Sequence, residues 1–473
     1  MYEVHIPARS VDPFADILGW DRIRSLRHEA DAIRGLLGPR VVWNISSTAV
    51  GGGVAEMLRS LLRYARGLGI NVRWLVFEGP PDFFRITKRV HNALHGSAGD
   101  GSPLGAEQIA LFERVTQENA VALDALVRPD DVVVCHDPQT SGLVPYLMGK
   151  GARVVWRAHI GHERHDREVD RGWAFLRPYL ERVPLAVFSL AAYAPPWLSK
   201  TTSVLPPNID PFSAKNQLID EAVVRAILVQ VGLVDGPAGP GSSVFVRDDG
   251  SAGRVDRAAE VLRVGRAPAW DTPLVVQVSR WDAIKDPAGV LAGFAGLVES
   301  GAPRGAQLVL AGPSVDAVAD DPEGAQVFAD LESRWRALAD GVRRSIHLAL
   351  LPMRDSEENA AIVNALQRHA AVIVQKSLEE GFGLTVTEAM WKRRPVVASA
   401  VGGIREQLRD GEDGLLLDDP TDLVAFAGLL RRVLSDEALA GRLGAAAYER
   451  VRARYLSVTA LEGWASLVRL LVT

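Results

Sequence analysis

From position 41 the chain alternates short, β-branched apolar runs with longer amphipathic stretches. Val-Val-Trp-Asn-Ile-Ser (41–46), Asn71 to Phe77, Asp131 to His136, Arg153 to Ala158 and Leu185 to Leu190 have the length and apolar character of buried strands, with helical segments between them. That rhythm predicts a parallel, doubly wound sheet. A second series begins at Pro273: Leu-Val-Val-Gln-Val-Ser, then Gln-Leu-Val-Leu-Ala-Gly (307–312), Ser-Ile-His-Leu-Ala-Leu-Leu (345–351), Val-Ile-Val-Gln-Lys (372–376) and Pro-Val-Val-Ala-Ser-Ala (395–400). A helical pattern follows each run, so the expected fold is α/β, with two Rossmann-like halves.

The segment between the halves breaks the rhythm. Residues 235–253 are rich in Gly, Pro, Ser and Asp, which predicts turns or a mobile loop rather than a packed element. At the other end, Ser435 to Val472 reads as mostly helical, with Trp464, Leu467 and Leu470 on one stripe. Chain order leaves open which half that last stretch packs on.

Composition narrows the function classes. The chain has 473 residues, enough for two or three domains with full cores, and 48% hydrophobic with 23% charged residues is ordinary for a soluble globular protein. Lys+Arg 53 against Asp+Glu 58 gives a net charge of -5 with no long basic block, so nucleic acid is not the expected partner. Cys135 is the only cysteine, which excludes an intramolecular disulfide and a thiolate zinc site and fits a reducing compartment. The first residues lack a basic and then apolar leader pattern, and no apolar run is long enough to span a bilayer; the expected location is cytoplasmic, without a membrane partner.

Four places carry candidate chemistry. Gly51-Gly52-Gly53 stands between the strand at 41–46 and a helical run, where backbone N–H groups can approach an anion; three glycines exceed what a tight turn needs. No Gly-Lys-Ser/Thr follows, and the pattern is not a dinucleotide fingerprint. Arg280 and Lys285 lie five residues apart on the loop after the strand at 273–279, placed to neutralise a diphosphate at a sheet crevice. Glu380-Gly381-Phe382-Gly383-Leu384-Thr385-Val386-Thr387-Glu388 joins a carboxylate, two glycines and a helix start, with a second carboxylate inside the helix. This is a cradle for a phosphate and for polar hydroxyls. His159 ends the strand at 153–158 and His136 ends the one at 131–136; neither belongs to a metal-spaced cluster. His162 and His165 invite a zinc reading, but their stretch is loop-like and lacks the spacing of a zinc helix, so no metal is expected.

Together these motifs resemble the retaining glycosyltransferases of the two-Rossmann (GT-B) type, family 4, in which two such domains face each other across a cleft. Within that group the resemblance is strongest to the trehalose synthases that use a nucleoside-diphosphate glucose and to the related trehalose phosphorylases. It rests on Gly-Gly-Gly-Val-Ala-Glu (51–56), Phe83 to Leu94, His136-Asp137-Pro138-Gln139, Pro206 to Pro211, Val278 to Asp282, Asp321-Pro322-Glu323-Gly324 and the run from Asn364 to Lys392. It covers about 40 to 460 and implies an acceptor domain at 1–210, to which a helix at 455–473 could return, and a donor domain at 211–454.

The resemblance also implies roles. Arg280 and Lys285 would hold the diphosphate, with Gly52, Gly53 and the backbone near Gly383 and Leu384 completing the anion site. Glu388 would take the ribose hydroxyls, Glu380 the hydroxyls of the transferred glucose, and His159 a place beside the anomeric carbon. The implied reaction moves glucose from ADP-, UDP- or GDP-glucose to glucose, giving α,α-trehalose with retention by same-face departure and attack, and needs no cofactor. Small-molecule substrates are the expected partners, and a homodimer is left open. Trehalose phosphorylase, another GT-B transferase with a different acceptor, a silent sugar-nucleotide sensor and a dehydrogenase are the competing readings; the last is weakened by the missing Gly-x-Gly-x-x-Gly. Family members carry an Asp after His-Ile where this chain has Gly161, which leaves the acceptor less determined than the donor. The insertion around 217–269 has no implied role.

Overall fold

A computed structural model describes every residue except Gly51, His165, 238–242 and 316–321. The chain forms two compact units, Met1–Asn208 with Tyr455–Thr473, and Ile209–Arg454. No helix among the described residues is long and apolar enough to cross a membrane.

The first unit is built on seven strands: β1 (Tyr2–Val4), β2 (Val42–Ser46), β3 (Val72–Val76), β4 (Val132–His136), β5 (Arg153–Arg157), β6 (Leu185–Phe188) and β7 (Thr202–Val204), ordered β1-β3-β2-β4-β5-β6-β7. All neighbours are parallel except β1, which runs antiparallel along β3. The chain leaves β2 first to one side and then to the other, so a topological switch point lies between β2 and β4. Asp131, buried one residue before β4, ties that centre together. It accepts hydrogen bonds from Val41 N at 2.9 Å, Trp43 Nε1 at 3.1 Å and Arg128 N at 2.9 Å.

The helix Ser457–Val472 packs within this unit, where Arg22 donates to both carboxylate oxygens of Glu462 at 3.1 and 2.8 Å. Trp464 and Leu467 face the core with Leu471, but Leu470 is 67% exposed, correcting its place on the stripe. The buried line follows helical steps of three and four through Leu461, Trp464, Val468 and Leu471, and three steps of three drift off that face.

The second unit carries a hairpin, β8 (Val244–Val246) with β9 (Ala252–Arg254), and a seven-stranded sheet. Its strands are β10 (Glu260–Leu262), β11 (Leu274–Val278), β12 (Gln307–Pro313), β13 (Ile346–Leu351), β14 (Val372–Gln375), β15 (Val396–Ser399) and β16 (Leu415–Leu417), ordered β10-β13-β12-β11-β14-β15-β16. Here β10 is the antiparallel edge strand, and the switch point falls between β11 and β14. A continuous core of Val275, Phe294, Leu308, Leu348, Val374 and Phe426 lies against the helices.

The hairpin corrects the expectation of an unpacked 235–253. Phe245 and Val255 are buried, Gln217 bonds Val246 N at 3.1 Å and Val246 O at 2.8 Å, and Arg247 pairs with Asp355 and Glu357. Composition misled because one of the glycines serves packing rather than turning: a Cβ on Gly253 would lie 2.5 Å from the Phe245 ring. Residues 238–242 of that segment lie outside the described residues.

Replacing Asp131 by Ala leaves three inward N–H groups without an acceptor and is expected to cost about 2–4 kcal/mol. Asp131→Asn keeps one carbonyl oxygen and should lose less. Urea unfolding followed by tryptophan fluorescence measures both; equal midpoints for wild type and Asp131→Ala would refute the tie.

Candidate functional site

In a parallel sheet every strand's carboxyl end opens on the same edge, and loops diverge at the switch point to leave a crevice. In the second unit the chain following β11 and the chain following β14 meet there. Lys285 Nζ donates to Glu380 Oε2 at 2.6 Å across 95 residues of sequence, and the same oxygen accepts from Ser377 Oγ at 3.1 Å. Both charged side chains are largely sheltered, with 14% and 9% exposure, so the geometry holds a cation and a carboxylate in a poorly hydrated place.

A second layer holds these backbones. Gln277, at the end of β11, donates from Nε2 to Lys285 O at 3.0 Å and accepts from Lys376 N at 3.2 Å, clamping both loops. Buried Lys376 pairs with Asp286, which sits in the left-handed region at φ +47° and caps the helix Pro287–Glu299 through Gly289 N at 2.9 Å. A non-glycine residue in that region is a strained conformation that needs such anchoring.

The turn Gly381–Gly383 leads into the helix Leu384–Trp391 with Gly383 at φ +86°. Gln407 secures it from below by donating from Nε2 to Phe382 O and to Gly383 O at 3.3 Å, while its Oε1 accepts from Thr387 Oγ1 at 2.5 Å. Gly403 must lack a side chain, since a Cβ would stand 2.6 Å from Phe382 Cα and 2.8 Å from Gly381 O. Leu384 and Thr385 are the first two residues of the helix, whose N–H groups have no acceptor within it, a position that suits an anion. Glu388 is buried in the same helix, 3.6 Å from Lys215 Nζ. Lys392, one turn on, donates to Asn216 Oδ1 at 3.0 Å, and burial holds its ammonium well below the usual lysine range.

The first unit presents a different chemistry at its own switch point. His136 closes β4 and His159 follows β5, their rings stacked with centroids 5.2 Å apart. His136 Nδ1 lies 3.0 Å from His159 Nε2, and His136 Nε2 lies 3.2 Å from Asn44 Oδ1 on β2. Asp137, at φ +62°, accepts from His159 N at 2.8 Å. Burial and then the Arg157 charge depress His136 to about 3, and the same two causes with His136 hold His159 well below the usual imidazole range. Burial pushes the Asp137 carboxyl up to about 6 against the His159 N–H and Arg157. Buried Arg157 donates to Leu205 O at 2.7 Å and Ser189 Oγ at 3.3 Å. Gly161 packs on the Tyr193 ring, where a Cβ would overlap it.

Of the residues singled out from the sequence, the second unit joins Lys285, Glu380, Gly381, Phe382, Gly383, Leu384, Thr385 and Glu388 at one sheet edge. Arg280 shares that loop but is 60% exposed and pairs with Asp282 at 3.1 Å, apart from the Lys285–Glu380 pair. His159, Gly52 and Gly53 belong to the first unit; Gly52, at φ +77°, starts the helix Gly52–Gly67, and Gly51 lies outside the described residues. His162 bonds Arg164 O at 3.0 Å, its partner His165 is outside the described residues, and no metal-holding cluster occurs among the described ones. Sequence reasoning missed Gln277, Asp286, Lys376, Gln407 and Asn44. A lysine ending the apolar run at 376 and the glycine pair at 402–403 after a strand were the available signals.

Residues 44–195 match the family model described as trehalose synthase, N-terminal domain, and residues 266–450 match glycosyl transferases group 1. A trehalose synthase of Pyrococcus horikoshii is 33% identical, with 99% of each chain covered, and one of Rubrobacter xylanophilus is 33% identical over 92% of this chain and 91% of that one. A trehalose phosphorylase of Pleurotus pulmonarius is 28% identical over 83% of this chain but only 52% of its own. Among solved structures, an α,α-trehalose-phosphate synthase (UDP-forming) from Burkholderia vietnamiensis superposes with a TM-score of 0.66 at 16% identity, covering 91% of this chain and 98% of that one, a likeness of fold.

Two measurements test the local physics. Gly403→Ala must displace backbone and should lower the thermal midpoint, whereas Gly296→Ala, in a helix with nothing within 4 Å of the new Cβ, should raise it by up to about 1 kcal/mol of stability. For pH, the unfolded chain protonates its imidazoles near 6.5 while folded His136 resists until about 3, so acidification through that window favours unfolding. Asp137 opposes this, because the folded state takes up its proton near 6 and the unfolded chain only near 3.8. Two histidines outweigh one carboxyl: the urea midpoint of the first unit should fall from pH 6.5 to 4. Asp137→Asn, which keeps the acceptor and tolerates positive φ, should steepen that fall.

Proposed function

The chain belongs to the trehalose synthase family of glycosyltransferases, and we propose that it transfers glucose from a nucleoside-diphosphate glucose to free glucose, forming α,α-trehalose and the nucleoside diphosphate. The observation that carries this reading is the Lys285–Glu380 pair at the switch point of the second sheet, beside a glycine turn and a helix N-terminus. A cation, a ring of N–H groups and a carboxylate are the partners that a sugar diphosphate needs.

In this reading Lys285, with Arg280 able to swing from its exposed pair, neutralises charge growing on the leaving diphosphate, which is electrostatic catalysis. Backbone N–H groups of Leu384 and Thr385 take phosphate oxygens. Glu380 accepts from hydroxyls of the transferred glucose and Glu388 from those of the ribose. His159, in the first unit, is assigned a hydroxyl of a bound sugar. The bond from C1 to the diphosphate oxygen breaks to leave a short-lived oxocarbenium ion. The acceptor oxygen then bonds C1 on the same face and passes its proton to the departing phosphate, so configuration is retained. That path uses one face of the sugar, unlike the two carboxylates that a retaining glycosidase sets across its bond. No cofactor enters this scheme.

Trehalose phosphorylase is the second reading, with inorganic phosphate in the anion site. The match over 99% of the P. horikoshii synthase, against 52% of the phosphorylase, favours a synthase.

Incubation with ADP-, UDP- or GDP-glucose and glucose, in the presence of chelator, should yield a non-reducing disaccharide with both anomeric centres α by NMR. Turnover only from trehalose and phosphate would instead establish the phosphorylase. Lys285→Ala should cut kcat/KM for the donor by about 100- to 1,000-fold, measured well below a thermal midpoint that falls because the sheltered Glu380 carboxylate loses its cation. Unchanged activity would remove the assigned role.

A further inference from the structure

The two histidines of the first unit do not stand alone; they end a hydrogen-bonded line that begins on a buried amide. Asn44 on β2, His136 at the end of β4 and His159 after β5 come from three successive strands of the sheet. The spacings along the line are 3.2 and 3.0 Å, and His159 is further anchored by its backbone N–H on Asp137. We propose that Asn44 and His136 are positioning residues that hold His159 in its Nε2–H tautomer, so that its Nδ1 serves as a hydrogen-bond acceptor for a hydroxyl of the bound sugar.

The direction of the line follows from donor and acceptor capacity. A carboxamide oxygen only accepts, so His136 Nε2 must carry a proton. A neutral imidazole has one N–H, which leaves His136 Nδ1 as a lone pair facing His159 Nε2. That contact at 3.0 Å is a hydrogen bond only if His159 Nε2 donates, and neutral His159 then has a bare Nδ1. Burial first, and the charge of Arg157 second, disfavour a second proton on either ring. Among the described residues, none bonds His159 Nδ1. His159 can therefore receive a hydroxyl hydrogen and cannot act as a cationic phosphate ligand, which separates its duty from that of Lys285.

The sugar end of this proposal rests on the glucosyl-transfer reading, whereas the tautomer does not, and the experiment separates them. Long-range proton–nitrogen correlation spectra of the intact, ligand-free protein, assigned with His136→Gln and His159→Gln variants, should show both rings neutral and protonated at Nε2. A proton on His159 Nδ1, as the reversed amide would impose, overturns the proposal whatever the enzyme catalyses. Asn44 also lines an apolar cavity of about 90 Å³ with Leu62 and Val134, room that lets Asn44→Leu fold. That variant should show mixed His159 tautomers and a kcat lowered about tenfold, the worth of one transition-state hydrogen bond, with the donor KM little changed. Asn44→Asp, which keeps an accepting oxygen, should restore the single tautomer. An Asn44→Leu spectrum identical to wild type would refute the positioning role. The expected tautomers in a protein with no glucosyl transfer would sink the functional reading alone.

Discussion

Glu380 is a carboxylate held where little water reaches it, and the ammonium of Lys285 at 2.6 Å is what makes that position tolerable. Much of the second unit's crevice edge serves this pair. Gln277 clamps the two loops that carry it, and the Asp286–Lys376 pair pins the strained residue next to Lys285. On the other side Gly383 turns the chain immediately beyond Glu380, and Gln407 with Gly403 hold that turn in place. A pair of charges that must be desolvated is costly unless its geometry is held, and the surrounding polar network does the holding.

The first unit uses the same topological device for the opposite electrostatics. Its switch point gathers hydrogen-bonding groups rather than a close ion pair: two imidazoles whose protonation burial disfavours, an amide, and a carboxyl that burial pushes up to about 6. Burial is the main cause for all three titrating groups, and the buried Arg157 charge adds to it on the rings while opposing it, after the His159 N–H, on Asp137. The two sheets thus present different chemistry at their switch points, a sheltered ion pair in one and a hydrogen-bonded pair of rings in the other.

Much of this was legible beforehand because buried parallel strands write themselves as continuous apolar runs. The ten strands read from the sequence all formed, and the residues at the ends of β4, β5, β11 and β14 were recognisable as candidates by their place after such runs. The short edge strands β1, β7, β10 and β16 were not, since three residues carry no periodicity. The hairpin at 244–254 was hidden by its glycines, one of which makes room for Phe245 rather than a turn. Leu470 went astray because steps of three leave the helical face within two turns. Arg280 looked equivalent to Lys285 in sequence, yet only the lysine points at Glu380; the arginine found Asp282 two residues away.

The sequence by itself determined the alternation of elements, the two α/β halves and the places where chemistry could sit, because strand and helix periods and strand-end loops are properties of neighbouring residues. Tertiary structure alone decided which candidates act together. Lys285 and Glu380 are 95 residues apart, Asn44 and His136 are 92 apart, and Lys376 and Asp286 are 90 apart. Their meeting depends on strand order within each sheet, which places β14 beside β11 and β4 beside β2. Protonation follows the same rule in part: Arg157 is two residues from His159 in sequence, but the burial that chiefly lowers the imidazole, and the His136 ring 3.0 Å away, come from the packing of neighbouring strands.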